Sequence, residues 1–116
     1  MKMLINFSNH PSGLWGEKQR RVATEKYGDI VDISFPQVDP AGDTNYIHNL
    51  AEQYLQKITQ YPHIQAVHIM GEQNLCFLLI KMLQAKGICC LASTTRRNSL
   101  ENKEEKFSFE QFREYQ

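Results

Sequence analysis

Short apolar runs alternate with segments of helical character along most of this chain of 116 residues. The apolar runs predict four strands, at residues 3–7, 30–35, 66–70 and 88–92. The segments between them predict helices at residues 14–27, 43–61 and 72–86. Because strands that alternate with helices form parallel sheets, the sequence predicts an α/β fold with helices on both faces of an open sheet.

The predicted sheet is Rossmann-like, with strand order 2-1-3-4-5. The fourth run, residues 88–92, is continuously apolar, which is typical of a strand covered on both faces. Phe107 and Phe109 alternate with polar residues and predict a last strand, antiparallel at the sheet edge. Residues 98–105 are polar and charged, which suggests a hairpin tip that could cover a ligand site as a lid. No linker or repeat divides the sequence, so residues 1–116 are expected to form one domain.

The charge balance favours a small ligand over a long nucleic acid. The chain has 13 Lys and Arg against 13 Asp and Glu, whereas proteins that coat nucleic acid carry a basic excess. We therefore expect a local anion site and no long nucleic acid as partner. No apolar stretch is long enough to span a bilayer, so no membrane partner is expected either.

The cysteines and histidines indicate neither disulfides nor metal chemistry. The three cysteines are odd in number, lack CxxC spacing and lie in apolar runs, which is typical of reduced thiols in a cytoplasmic protein. The four histidines lack HxxxH or HExxH spacing. We therefore expect no metal and no cofactor. The motifs GxGxxG, GxxxxGK[ST] and GxSxG are also missing, which disfavours common dehydrogenases, P-loop enzymes and α/β-hydrolases.

Three polar stretches follow the carboxyl ends of predicted strands one, three and four, at residues 8–13, 71–73 and 93–97. Ligands of open α/β sheets bind at this edge, near the point where the strand order reverses. The sequence therefore predicts the ligand site there. The candidate catalytic residues are Asn9, His10 and Arg97. The candidate ligand-binding residues are Ser8, Ser12, Trp15, Gly71, Glu72, Gln73, Ser93, Thr94, Thr95 and Arg96.

The chemistry of these residues suits a phosphorylated ligand. The arginine fork matches phosphate geometry, and a histidine can move a proton near neutral pH. Gly71 would let backbone approach a ligand closely, and Trp15 could stack on a base.

Each of these features also has a plainer interpretation. Residues 93–97 could be a surface turn, and residues 8–11 could be a turn that leads into a helix. Glu72 could serve only to stabilise the start of a helix. Trp15 could belong to the core.

A family resemblance covers about half of the chain. It rests on the stretch MGEQNLCFLLIKMLQAKGICCLASTTRRNSLE and on KFSFEQFREY near the C-terminus, with a weaker likeness in LINFSNHPSG. The positions that carry it are Gly71, Glu72, Phe77, Ser93, Thr94, Thr95, Arg97, Glu101 and residues 112–115. In the order and spacing of these positions, the chain resembles a family of small stand-alone CRISPR-associated proteins with a Rossmann-like fold.

That resemblance implies a ring nuclease of type III CRISPR systems, which binds cyclic tetra-adenylate and cleaves it to end the antiviral signal. Similar enzymes act as homodimers and without metal. In their reaction a ribose 2′-hydroxyl attacks the adjacent 3′-phosphate and leaves a 2′,3′-cyclic phosphate. For such a reaction we assign Arg97, Thr94 and Thr95 to phosphate as a hypothesis. Asn9 and His10 are candidates for orienting the 2′-hydroxyl or protonating the leaving oxygen, and Glu72 could accept from a ribose or adenine donor.

Three other functions remain open at this stage. The same site could hold a cyclic oligoadenylate without cutting it, as a sponge or sensor. The chain could dock a partner through the apolar helix at residues 75–83 or the strand at residues 107–115. A flavodoxin-like carrier of a mononucleotide is the third alternative.

Overall fold

The computed structural model describes residues 1–97 and 107–116, which contain five strands, three α-helices and one 3₁₀ turn. The strands are β1 (Met3–Ser8), β2 (Asp29–Ser34), β3 (Ile64–Met70), β4 (Cys90–Arg97) and β5 (Phe107–Glu114). The helices are α1 (Glu17–Tyr27), α2 (Thr44–Thr59) and α3 (Gln73–Ala85), and the 3₁₀ turn is Ser12–Leu14. The suggested hairpin tip and lid at residues 98–105 lie outside the described residues.

The sheet has the order β2-β1-β3-β4-β5, which confirms the predicted topology. Strands β2, β1, β3 and β4 are parallel, and β5 pairs antiparallel with β4 at the edge. The order reverses between β1 and β3, so the carboxyl ends of these two strands form the switch point. The α/β class and the antiparallel edge strand are therefore as expected.

Helices cover both faces of the sheet because side chains alternate along each strand. Leu4 and Leu91 pack with Trp15 and Ala23 on the face covered by α1. The opposite face packs against α2 and α3 through a larger cluster, whose fully buried members include Ile5, Phe7, Ile58, Val67, Ile69, Leu79 and Leu83. No helix of the described residues is both long and apolar enough to cross a membrane.

The three cysteines are free thiols that pack with this core. Cys76 and Cys90 are buried in the cluster beside α3, and Cys89 is partly buried beside α1. Burial raises the pKa of Cys76 to about 11 and that of Cys90 to about 12. These two thiols stay protonated at neutral pH, so their contribution is to packing.

Helix α1 begins later than the sequence pattern suggests. The predicted helix at residues 14–27 is divided into the 3₁₀ turn Ser12–Leu14 and α1, which starts at Glu17. Trp15 between them is extended, with ψ 150°, because its ring is buried in the core while the turn is held to β2. The chain therefore cannot run on as one helix.

The polar stretch 93–97 is a strand and not the loop that the sequence suggested. Strand β4 runs on to Arg97 because β5 pairs with it along its whole outer part, from Leu91 opposite Glu114 to Arg97 opposite Phe107. Strand β3 pairs with β4 at only two registered positions, so most of this segment lies beyond β3. The β4–β5 pair therefore forms a two-stranded ribbon that extends past the switch point.

Candidate functional site

A cleft of about 310 Å³ lies at the carboxyl ends of β1, β3 and β4. Seven of the residues that line it were candidates from the sequence: Ser8, Asn9, His10, Trp15, Gly71, Ser93 and Thr95. Gln19, His68 and Met70 complete the lining. The structure thus brings together residues from the three predicted stretches and places them at the expected edge of the sheet.

A hydrogen-bonded cluster centred on Asn6, which is 1% exposed, joins Ser8, His10 and His68 of the cleft lining. Asn6 Nδ2 donates to Asp32 Oδ1 at 2.8 Å and to the His10 carbonyl at 3.0 Å. Its Oδ1 accepts from Ser8 Oγ at 2.8 Å and lies 2.8 Å from His68 Nδ1. Both amide protons and both lone pairs of the oxygen are therefore used, which fixes the orientation of the amide.

These contacts also determine the tautomer of His68. The Asn6 oxygen can only accept, so His68 Nδ1 must carry the proton. Nε2 is then an acceptor, and it is the buried side-chain atom of the described residues that has no partner. Burial, helped by the nearby His10, lowers the pKa of His68 to about 4, so its ring is neutral at physiological pH.

Asp32 ties the loop after β1 to β2. Its Oδ1 accepts from Ser12 N at 3.0 Å, and its Oδ2 accepts from Ser12 Oγ at 2.7 Å. Partial burial raises the pKa of Asp32, but hydrogen bonds from the Ser12 hydroxyl, the Asn6 amide and the Ser12 N–H outweigh it, so the pKa is lowered overall. Ser12 thus has a structural partner and does not line the cleft.

Hydrogen bonds to the backbone of His10 also hold the loop after β1 in place. The His10 carbonyl accepts from Asn6 Nδ2 at 3.0 Å and from Trp15 Nε1 at 3.1 Å, while His10 N donates to Ser8 Oγ at 3.2 Å. With the backbone held in this way, the exposed side chains of Asn9 and His10 project from a fixed support. Such support is what a binding or catalytic loop requires.

Trp15 lies in the core beneath the cleft. It is 3% exposed, and its ring centroid is 5.3 Å from that of His68 and 5.9 Å from that of Phe112. The ring is therefore covered on most of its surface by protein. The base-stacking role suggested from the sequence does not fit this position, and the plainer interpretation as a core residue does.

Glu72 and Gln73 belong to the start of α3. Glu72 is the N-cap: its carboxylate accepts from Leu75 N at 2.8 Å and from Asn74 Nδ2 at 3.0 Å. The bond from Leu75 is the main cause of the lowered pKa of Glu72. Gln73 lines a different, mostly apolar groove of about 420 Å³ between α3 and the C-terminus. Neither side chain lines the cleft, and Glu72 has a structural role.

Gly71 lines the cleft, and its missing side chain has a packing reason. A Cβ at this position would lie 2.5 Å from the ring of Phe35, which stacks on Phe7 at 4.7 Å between centroids. We expect Gly71→Ala to destabilise the protein by about 1–3 kcal/mol, because the Phe35 ring must move out of its packing. Urea denaturation would measure this. Gly13→Ala is the control, since a Cβ there meets nothing within 4 Å, and equal losses in both variants would contradict the explanation.

The ribbon residues divide between the two faces of β4. Ser93 and Thr95 line the cleft, and by strand alternation Arg97 lies on their side, roughly 7 Å farther along. Thr94 instead bonds the backbone of Gln111 on β5. Arg96 pairs with Glu110 at 2.8 Å on the exposed surface, so its suggested ligand contact is replaced by a contact within the ribbon.

Three residues of the site were not identified from the sequence: Asn6, Asp32 and His68. Asp32 is exposed on the edge strand β2, whereas Asn6 and His68 are buried polar residues inside mostly apolar strands, close to their carboxyl ends. That anomaly is a usable signal, because a polar group inside a buried strand needs a partner. Among the described residues, no three His, Cys, Asp or Glu side chains lie close enough together to hold a metal ion.

Fold and site together define a small α/β protein with an open, mixed sheet and a polar cleft at its switch point. The chain belongs to the uncharacterized protein MJ1673 family, whose model matches residues 2–114. No curated protein and no solved structure gives a significant match.

Proposed function

We propose that this protein is a ring nuclease that binds and cleaves a cyclic oligoadenylate, with cyclic tetra-adenylate as the first candidate. The observation that carries the proposal is the cleft: a hydrogen-bonded cluster holds Ser8, Asn9 and His10 opposite Ser93 and Thr95 at the switch point. Hydroxyl, amide and imidazole groups that converge on one cleft suit a ribose-phosphate ligand. The resemblance to small CRISPR-associated proteins supplies the identity of that ligand.

The proposed reaction uses the substrate's own nucleophile. A ribose 2′-oxygen attacks the adjacent phosphorus, the bond from phosphorus to the 5′-oxygen breaks, and the product ends in a 2′,3′-cyclic phosphate. The protein's task is to align these atoms and stabilise the phosphate charge. Thr95 and Arg97 are proposed to contact the phosphate, and Asn9 to orient the ribose. His10 is proposed to give a proton to the leaving oxygen.

The size of the cleft favours a homodimer as the working form. A volume of about 310 Å³ lies at the lower end of the range for small-molecule pockets, so one cleft accommodates only part of a four-nucleotide ring. A twofold dimer would present two such clefts to a ligand of matching symmetry. The neutral net charge and reduced thiols fit a cytoplasmic protein that acts on a small ligand.

Product analysis tests the proposal directly. Pure protein with EDTA is incubated with cyclic tri-, tetra- and hexa-adenylate, and the products are separated by chromatography. Conversion of the tetramer to linear di-adenylate with a 2′,3′-cyclic phosphate is the expected result. Intact rings in all three samples would contradict the enzyme assignment.

Replacing Arg97 tests the phosphate assignment. We expect Arg97→Ala to weaken binding of cyclic tetra-adenylate about tenfold or more, the usual loss for a hydrogen bond to a charged group. Arg96→Ala is the matched control, because Arg96 is its neighbour, points to the other face of β4 and is paired with Glu110. Titration calorimetry measures both. Unchanged binding by Arg97→Ala would show that the phosphate assignment is wrong.

A binding protein without catalysis is the second candidate. It is favoured by the position of Arg97, which is not among the described residues that line the cleft, so the cationic group lies beyond the hydroxyl and imidazole groups. A sponge or sensor would bind the ring with measurable affinity and return it intact after prolonged incubation.

A further inference from the structure

His68 has an acceptor without a partner at the floor of the cleft. The residue is 2% exposed, its Nδ1 is committed to Asn6, and Nε2 has no hydrogen-bond partner in the described part of the chain. A buried polar atom without a partner destabilises the folded state. Such atoms are rare in native structures and often mark a functional position.

The surroundings of Nε2 place its missing partner in the cleft. His68 is itself a lining residue, while Trp15 and Phe112 pack edgewise on its ring at centroid distances of 5.3 and 5.6 Å. These two aromatic rings offer no donor to Nε2, since Trp15 Nε1 is already bound to the His10 carbonyl. Met70 follows His68 by two residues on the same face of β3, and its flexible side chain is 37% exposed. Because Nε2 is buried, a side chain of the cleft lining, such as Met70, would have to move for a ligand group to reach it.

We infer that His68 Nε2 accepts the hydrogen bond of the ribose 2′-hydroxyl in bound cyclic oligoadenylate and takes its proton during cleavage; this rests on the proposed function. The acceptor is held in place because the bond from Nδ1 to Asn6 fixes both the tautomer and the orientation of the ring. Asn6 is in turn tied to Asp32 at 2.8 Å. A chain of hydrogen bonds thus links the Asp32 carboxylate, the Asn6 amide and the His68 imidazole to the proposed nucleophile, the ribose 2′-hydroxyl.

The proton balance of this step is complete without a further reagent. The 2′-O–H proton moves to Nε2 as the 2′-oxygen bonds to phosphorus, and the bond from phosphorus to the 5′-oxygen breaks. The leaving 5′-oxygen receives a proton from His10 or from water, and His68 returns its proton to solvent. The phosphate charge beside the ring favours the transient imidazolium.

Two substitutions test the contributions of the two ring nitrogens of His68 separately. Asparagine places an N–H near the position of Nδ1 and can keep the bond to Asn6, but it has no acceptor at the position of Nε2. Glutamine reaches the position of Nε2 with a carbonyl oxygen and gives up the bond to Asn6. We expect both His68→Asn and His68→Gln to slow single-turnover cleavage about 100-fold, because neither amide can take the proton of the 2′-hydroxyl. Circular dichroism and urea denaturation of each variant identify losses that come from unfolding.

Binding provides the second readout. Wild type and His68→Asn are titrated with cyclic tetra-adenylate and with its 2′-deoxy analogue, which cannot be cleaved. Removal of the 2′-hydroxyl is expected to weaken binding to the wild type about threefold to tenfold and to leave binding to His68→Asn nearly unchanged. Equal losses in both proteins, or wild-type cleavage by a folded His68→Asn, would overturn the role of His68 and leave the ring nuclease assignment standing. A wild type that neither binds nor cleaves any ring would overturn both.

Discussion

Asn6→Asp is expected to lower the free energy of unfolding by about 3 kcal/mol or more at pH 7, because it places a carboxylate at a buried position beside the carboxylate of Asp32. The substitution keeps the shape of the side chain but replaces Nδ2, the donor to Asp32 Oδ1 at 2.8 Å and to the His10 carbonyl at 3.0 Å. Three acceptors then face one another without a proton between them. Protonation of the new carboxyl could relieve this repulsion, at a cost that also appears as lost stability.

Urea denaturation at neutral pH measures the effect, with Asn9→Asp as the matched control. Asn9 undergoes the same chemical change three residues away, but its side chain is exposed. A surface substitution of this kind is expected to change stability by less than about 0.5 kcal/mol. Because Asn6 also holds the loop that carries His10, the expectation extends to ligand binding, which should be lost with Asn6→Asp. Similar stability in the two variants would show that the Asn6 cluster contributes little to the fold.

Acidification is expected to destabilise the protein by roughly 3 kcal/mol between pH 7 and pH 4 through His68. The folded-state pKa of about 4 lies below the ordinary value of 6.5, because burial and the nearby His10 disfavour the charged ring. As the pH falls through 6.5, the unfolded chain takes up a proton that the folded chain does not. The unfolded state therefore gains stability until the pH reaches the folded-state pKa.

Unfolding curves at half-unit pH intervals measure this slope, and His68→Asn is the control because it removes the titrating ring. The lowered pKa values of Asp32 and Glu72 act in the same direction at lower pH. Their contribution is present above the ordinary carboxyl pKa and is lost only as the pH falls through their folded-state values. The change in the free energy of unfolding between pH 7 and pH 5 is thus expected to come mainly from His68. An unchanged slope in the variant would show that His68 titrates normally in the folded protein.

The sequence predicted the location of the site more accurately than the roles of the individual residues. Ser8, Asn9 and His10 were expected after the first strand, and all three line the cleft because the carboxyl end of β1 lies at the switch point. Glu72 and Trp15 were candidates for ligand contacts, but the first caps α3 and the second packs in the core. Residue type could not separate these roles, since a carboxylate that caps a helix and one that binds a ligand share the same chemistry.

Local patterns determined the elements of the fold, because hydrophobic periodicity reflects interactions within a short segment. From these followed the alternation of strands and helices, and the α/β class that this alternation indicates then gave the expected order β2-β1-β3-β4-β5 and the edge at which the polar stretches meet. The length of β4 could not be predicted from local patterns. Residues 93–97 are polar enough for a loop and become a strand only because β5, distant along the chain, supplies the backbone partners.

The tertiary structure alone decided the inner arrangement of the cleft. Asn6 meets a partner 26 residues away in Asp32 and another 62 residues away in His68, and no local pattern records such contacts. The amide orientation, the tautomer of His68 and its depressed pKa all follow from that meeting. The sequence by itself determined which polar groups reach the sheet edge, since that depends on strand ends. Hydrogen bonds between strands decided which of those groups already have a partner within the protein and left His68 Nε2 as the acceptor available to a ligand.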